Sequence, residues 1–252
     1  MNTVREYFRK LKEGTEFLNY GRDIIARWVA EKTAAVPATV PMNVLDLGCS
    51  NGDDLLNVQR CLAEFHRNGK LFGIESYAPS VAVATERGIA VSCVDLERSR
   101  YPYADGTFDF IIANQIVEHT KEIFWMFSEC SRILKHNGYL IVGVPNLASL
   151  HNRILLMLGD QPSSIELLGP HLRGVTKNGF VRFIEADGIF SVEEVRGANF
   201  YPFPIRINRI LSHLFPTVSV SIFFLVRKVH PTKRFIDVLR TRFYETNYFN
   251  GQ

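Results

Sequence analysis

The first residues able to do chemistry lie where an apolar run ends, in Val44-Leu-Asp46-Leu-Gly48-Cys49-Ser50-Asn-Gly52. Small residues at 48, 50 and 52 let a backbone turn sharply and let a ligand approach without meeting a Cβ. A helix that starts just beyond such a turn points free N–H groups into the same space, which suits a carboxylate or phosphate. Glu75 ends the next apolar run, roughly 20 residues on, where a carboxylate grips ribose hydroxyls in doubly wound sheets. A later run, Phe108 to Ala113, empties into Asn114-Gln115-Ile-Val-Glu118-His119. His119 is the candidate base, because imidazole titrates near neutrality, with Glu118 beside it. The competing reading is that this pair merely opens a helix, where a glutamate is favourable. Gly48-Cys-Ser50-Asn-Gly52 also fits the GxSxG elbow of hydrolases. Against that, it follows the first predicted strand, no HGGG-like segment precedes it, and Asp46 has no role in an elbow.

These residues need elements to carry them. Periodicity and punctuation predict a helix over residues 3 to 34, a strand from Val44 to Leu47, a helix from Asp53 to His66 and a strand from Leu71 to Ile74. Pro79 opens a helix, Ile89 to Val94 and Phe108 to Ala113 read as strands, and Glu122 to Lys135 reads as a helix stopped by His136-Asn137-Gly138. Tyr139 to Val144 is a strand, residues 146 to 174 are helix plus loop, and Lys177 to Ala186 is a helix. Phe190 to Val195 and Val218 to Lys228 are the last strands. Strands alternating with helices imply a parallel sheet covered on both faces.

In this order the motifs resemble those of class I S-adenosylmethionine-dependent methyltransferases. VLDLGCSNGDDLL is similar to that family's first motif and GIESYAPSVAVATERGI to its second. VDLERSRYPYADGTFDFIIANQIVEHT resembles the third and fourth, and SECSRILKHNGYLIVGVPN the helix-to-strand passage that follows. The resemblance covers about residues 40 to 147. It implies an α/β, doubly wound, mostly parallel seven-stranded sheet with the last strand antiparallel, helices on both faces and an N-terminal helical cap. It implies S-adenosyl-L-methionine as cofactor, held by Asp46, Gly48, Cys49, Ser50, Gly52, Glu75, Ser76, Asp95, Leu96, Asn114 and Gln115. Glu75 would take the ribose and Asp95 the adenine amino group.

The family's lid resembles the stretch around His171 and Arg173, which would then face the substrate, with Tyr20 from the N-terminal helix near the opening. Glu118, His119 and His171 also resemble part of the metal-binding set of small-RNA 2′-O-methyltransferases and some quinone-pathway O-methyltransferases. That set has an acidic residue where this chain has Gln115, a poor ligand for a hard cation, so no metal is expected. Each residue has a plainer structural role beside the functional one. Asp46 can organise its loop, Glu75 can be a solvated strand end, Asp95 can cap a turn, and Cys49 and Cys93 can be buried fillers.

Composition narrows the rest. The charge of +3 is nearly balanced and its basic residues form no run, so nucleic acid is not indicated. The C-terminal quarter is locally basic, which suits an acidic substrate, a membrane surface or simply a solvated face. Four cysteines without CxxC spacing fit reduced thiols. The apolar run Val218 to Val226 is far shorter than the ~20 residues of a membrane span, and the charged N-terminus is no signal peptide, so the expected location is the cytoplasm. The expected organisation is a cap (1–40), a methyltransferase domain (41–230, with 146–185 as lid) and a tail (231–252). The expected acceptor is a small molecule, glycan or lipid precursor. The alternatives are a non-catalytic cofactor-binding protein, an RNA 2′-O-methyltransferase and the hydrolase.

Overall fold

Leu45 and Leu47 pack on one side of the first strand and Val44 on the other, and the central strands repeat this alternation. The computed structural model describes residues 21–34, 36–200, 205–242, 244, 245 and 247–251. Its strands are β1 (Met42–Leu47), β2 (Gly69–Ile74), β3 (Ala90–Ser92), β4 (Phe108–Asn114), β5 (Leu134–Pro145), β6 (Phe190–Ala198) and β7 (Ser221–Lys228). They form one sheet in the order β3-β2-β1-β4-β5-β7-β6. β1 to β5 are mutually parallel, and β7 runs antiparallel to both β5 and β6. This is the seven-stranded arrangement expected above.

Because β1, β4, β5 and β7 offer apolar side chains to both faces, each face needs its own helical layer. One layer holds α1 (Arg22–Thr33), α2 (Asp53–Glu64) and α3 (Ala78–Glu86). The other holds α4 (Ile123–Ile133), α6 (Lys177–Ile184) and a 3₁₀ segment, Phe235–Thr241. α5 (Leu150–Met157) lies in the connection after β5, and α7 (Ile205–Leu214) in the one after β6.

Four local expectations change. β3 is only Ala90–Ser92. α4 stops at Ile133, because Leu134 is already extended and pairs with Phe108. His136-Asn137-Gly138 therefore lies inside β5, where Asn137 takes a left-handed φ of 62° and the register shifts. α7 was not anticipated. Of the predicted N-terminal helix, Arg22–Thr33 is seen, and residues 3 to 20 lie outside the described residues. Trp28 packs against the sheet and donates its Nε1–H to Glu194 Oε2 at 2.8 Å. α1 thus behaves as a packed layer helix that brings Arg22 to the sheet edge.

Candidate active site

Strand order reverses between β1 and β4, so the loops after them part and leave a crevice at the C-terminal edge of the sheet. After β1 the chain passes Gly48, Ser50 and Gly52 with φ of 69°, 46° and 83°. A Cβ on Gly52 would collide with Ile89 Cδ1, and one on Gly48 would lie 2.9 Å from Ile116 Cδ1, so the two glycines satisfy both conformation and space. Gly48 N and Cys49 N donate to the Ile74 carbonyl at 2.8 and 3.1 Å, tying the turn to β2. α2 begins directly afterwards at Asp53.

Glu75 accepts from the backbone N–H groups of Ser50, Ser76 and Tyr77 at 2.9, 2.8 and 2.8 Å. Both its oxygens are therefore fixed beside the turn. Asp95 Oδ1 accepts from Glu97 N at 2.7 Å, which is the turn-capping role, while its side chain stays exposed at the mouth of β3. Leu96 is half-buried against the core, and its carbonyl accepts from Tyr101 Oη. Cys49 is buried, with a thiol pushed up to about 12 by burial and then by Asp46 and Glu75. Cys93 is exposed, contrary to the filler role expected, because β3 ends before it.

A cavity of about 500 Å³ extends from this turn across the end of β4 to the segment after β5. Asp46, Asp53, Asp54 and Glu118 line it, against one guanidinium among the described residues, Arg22. Arg22 Nε donates to Asp54 Oδ1 at 2.6 Å, and Asn114 Nδ2 to Asp54 Oδ2 at 2.8 Å. Burial, followed by the charges of Asp54 and Glu75, holds the Asp46 carboxyl well above its usual range. Such a wall favours a cationic ligand.

At the far end Glu118 is buried, and neither of its carboxylate oxygens has a hydrogen-bond partner. Burial pushes this carboxyl up to about 7. His119 Nδ1 faces the Pro170 carbonyl at 3.3 Å and His171 Nδ1 the Ser164 carbonyl at 2.9 Å. In neutral rings this puts the proton on Nδ1 and leaves Nε2 with the lone pair. The rings meet edge to face with centroids 4.7 Å apart. Burial first, and then His171, make His119 harder to protonate. One ligand atom from each of Glu118, His119 and His171 lies within 4.8 Å of the others. Gln115, held at a φ of 56°, lines the same cavity with its buried Nε2 unpartnered.

Arg173 does not line the cavity. It donates Nε and Nη2 to the Thr120 and Lys121 carbonyls at 3.1 and 2.5 Å, clasping the loop that carries His119. Tyr20 lies outside the described residues. The sequence reading missed a polar wall: His151 Nε2 meets Ser163 Oγ at 2.9 Å, and Asn152 Nδ2 donates to Ser164 Oγ at 3.1 Å. All four line the cavity. No periodicity links 151–152 to 163–164, so only the folding back of this segment could reveal them.

Residues 45–142 match the family described as a methyltransferase domain, which spans the turn, Glu75, Asp95 and the Glu118–His119 pair. Over that segment the chain is similar to the class I S-adenosylmethionine-dependent methyltransferases. The cofactor of this family is S-adenosyl-L-methionine, whose sulfonium and ammonium are cations of the kind the acid-rich wall favours. Among methyltransferase relatives, mouse mitochondrial ubiquinone biosynthesis O-methyltransferase is 25% identical over 64% of this chain and 45% of that protein. Malonyl-[acyl-carrier protein] O-methyltransferase of Legionella pneumophila is 27% identical over 40% of this chain and 35% of that one. The chain thus spans less than half the length of these curated relatives. Solved structures with this methyltransferase fold include the DszA carbon methyltransferase (TM-score 0.59, 13% identity, covering 87% of this chain and 56% of that one). The [4+2]-cyclase SpnF is also similar (TM-score 0.57, 20% identity, covering 84% and 82%).

Proposed function

We propose that this chain transfers the methyl group of S-adenosyl-L-methionine to a hydroxyl oxygen of a small-molecule, glycan or lipid-precursor acceptor. The observation that carries the reading is the unpartnered Glu118 carboxylate beside two imidazoles at the acceptor end of the cavity. When bound, the cofactor supplies a methyl group already activated by the sulfonium charge. The chain then has to align the acceptor in line with that group and exclude water. A base matters only for an acceptor that is protonated at neutral pH, as alcohols and phenols are. His119 and Glu118 serve as that base pair, and His171 closes the wall opposite. Asp46, the turn from Gly48 to Gly52, Glu75 and Ser76 hold the cofactor, with Asn114 and Gln115 at its methionine end and Asp95 and Leu96 beside the adenine.

A second reading has one specific observation in its favour. Two imidazoles with Nδ1 turned to carbonyls and one unpartnered carboxylate also suit a divalent cation. Such an ion would acidify a bound acceptor hydroxyl. With Gln115 in place of a second carboxylate, nitrogen-tolerant ions such as manganese or zinc fit better than magnesium. Turnover lost on chelation and restored by manganese or zinc supports this reading over the base pair.

Calorimetry with S-adenosylhomocysteine tests the cofactor site: wild type binds, and Asp46→Ala binds much more weakly. A panel of phenols, alcohols and carboxylates with labelled cofactor then tests the reaction. Glu118→Gln and His119→Ala are expected to keep product binding while lowering turnover by about 10²–10⁴-fold. No binding by wild type would sink the cofactor assignment. Binding without methyl loss across the panel would favour a non-catalytic protein on this fold, a possibility the fold alone leaves open. The hydrolase alternative requires Ser50 as nucleophile, yet no imidazole hydrogen-bonds its hydroxyl among the described residues.

A further inference from the structure

Large apolar side chains that remain exposed gather in two stretches, 150–172 and 210–215. Leu156, Met157, Leu167, Leu168, Leu214 and Phe215 are the most prominent. Elsewhere among the described residues only Val40, Phe65 and Tyr77 are both large and exposed. The two stretches leave the same edge of the sheet. Asn146 joins them, donating Nδ2 to the Thr217 and Ser219 carbonyls at 3.0 and 2.9 Å. Residues of both connections, including His151, Ser164, Asn199 and Val220, line the one cavity. The apolar side chains thus belong to the segments that frame the acceptor end.

Several described side chains of α7 sit against the usual pattern. Asn208 and Ser212 are buried, with Ser212 packed over Gly197 of β6 and its Oγ donating to the Asn208 carbonyl at 2.7 Å. Ile210 and Leu214, one turn apart, and then Phe215 face solvent. An apolar helix face left in water forgoes the stabilisation that burial would bring. The connection that carries it, 199–220, holds Arg206, Arg209 and His213 and no acidic residue, while 150–172 sets Arg153 against Asp160 and Glu166, so the two stretches together keep a small positive balance that suits an anionic surface. Leu167 and Leu168, 90% and 103% exposed, stand on a loop tip, a shape that enters a soft interface better than it mates with a flat protein face. A second protein seated here would cover the acceptor end of the cavity, whereas a bilayer leaves it facing an apolar phase.

We propose that this rim docks the protein on an anionic lipid bilayer. Leu167, Leu168, Leu214 and Phe215 sit below the headgroups. The choice of a bilayer over a second protein rests on the proposed function, which takes this end of the cavity as the acceptor's.

Co-sedimentation with vesicles of phosphatidylcholine, with and without phosphatidylglycerol, tests the proposal. Wild type should pellet with the anionic vesicles, and more weakly as salt rises. The exposed double variant Leu167→Glu/Leu168→Glu, and separately Leu214→Glu, should each lose about tenfold or more in vesicle partitioning. Both should keep S-adenosylhomocysteine affinity and the wild-type circular dichroism, which shows that folding is intact. Wild type remaining in the supernatant with both vesicle types overturns the proposal. So does a wild-type dimer in light scattering that becomes monomeric in the leucine variant without any vesicle binding, because the rim would then belong to a second copy of the chain.

Discussion

At the scale of the residue, Asp46 is placed to oppose stability while, on the proposed function, it serves binding. It is a buried carboxyl at the end of β1, close to Asp54 and Glu75, and its proton affinity is raised accordingly. A group whose folded pKa lies above its unfolded value contributes stability that is complete below the unfolded pKa and is lost as pH rises through the folded one. Asp46→Asn should therefore melt at a higher temperature than wild type at neutral pH, and the difference should vanish as the solution is acidified toward the ordinary carboxylate range. Thermal melts across pH check this. The same variant should bind S-adenosylhomocysteine about 10- to 100-fold more weakly, because a charge-assisted contact of about 1.5–3 kcal/mol is removed. A higher melting temperature with undiminished affinity would show that Asp46 plays no part in holding the cofactor. Glu75 presents the opposite case, since three backbone N–H groups already satisfy its carboxylate before any ligand arrives.

At the scale of the element, the turn between β1 and α2 is where local sequence and tertiary position agree. Gly52 combines a φ of 83° with a missing Cβ that Ile89 would otherwise contact. Gly52→Ala should destabilise the protein by more than the ~1–3 kcal/mol of backbone strain alone, read as a fall in the urea midpoint, and should weaken cofactor binding with it. Unchanged stability would mean that the turn relaxes freely. This turn was legible in the sequence because small residues at fixed spacing have a backbone meaning that depends on no distant partner. β3, α4 and β5 were less legible at their ends. Strand pairing with Phe108 claims Leu134 for β5, so Asn137 and Gly138 serve a kink in a strand where local signals read a helix stop. α7 went unread although its apolar residues at 207, 210, 211 and 214 carry helical spacing.

At the scale of the whole molecule, the C-terminal segment completes the second helical layer. α4 is buried along its whole length, with Phe235, Tyr244 and Tyr248 packed around Phe124 and Phe249 against Trp125. Beneath them Glu129 accepts from Arg132 at 2.6 and 2.9 Å, from Arg234 at 2.6 Å and from Tyr101 N at 2.8 Å. Glu129→Gln leaves the buried Arg132 guanidinium without its main counter-charge. It should cost about 3–5 kcal/mol in denaturant unfolding and speed hydrogen exchange over 234–241. An effect below ~1 kcal/mol would mean that Asp105 and the Tyr101 and Tyr103 carbonyls suffice for Arg132.

Alternating apolar strands carried the fold class, and four ordered motifs that resemble a known methyltransferase family carried the methyl donor, because both depend on spacing along the chain. The end of the cavity that holds Glu118 was decided by tertiary structure. Glu118, His119 and His171 meet only because the chain between them folds back, so that Leu172 N reaches the Glu118 carbonyl at 2.7 Å and Arg173 clasps the His119 loop. The Ser163–His151 wall and the apolar rim arise from the same folding back. Their chemistry lies in distances between segments, and no periodicity along the chain encodes those.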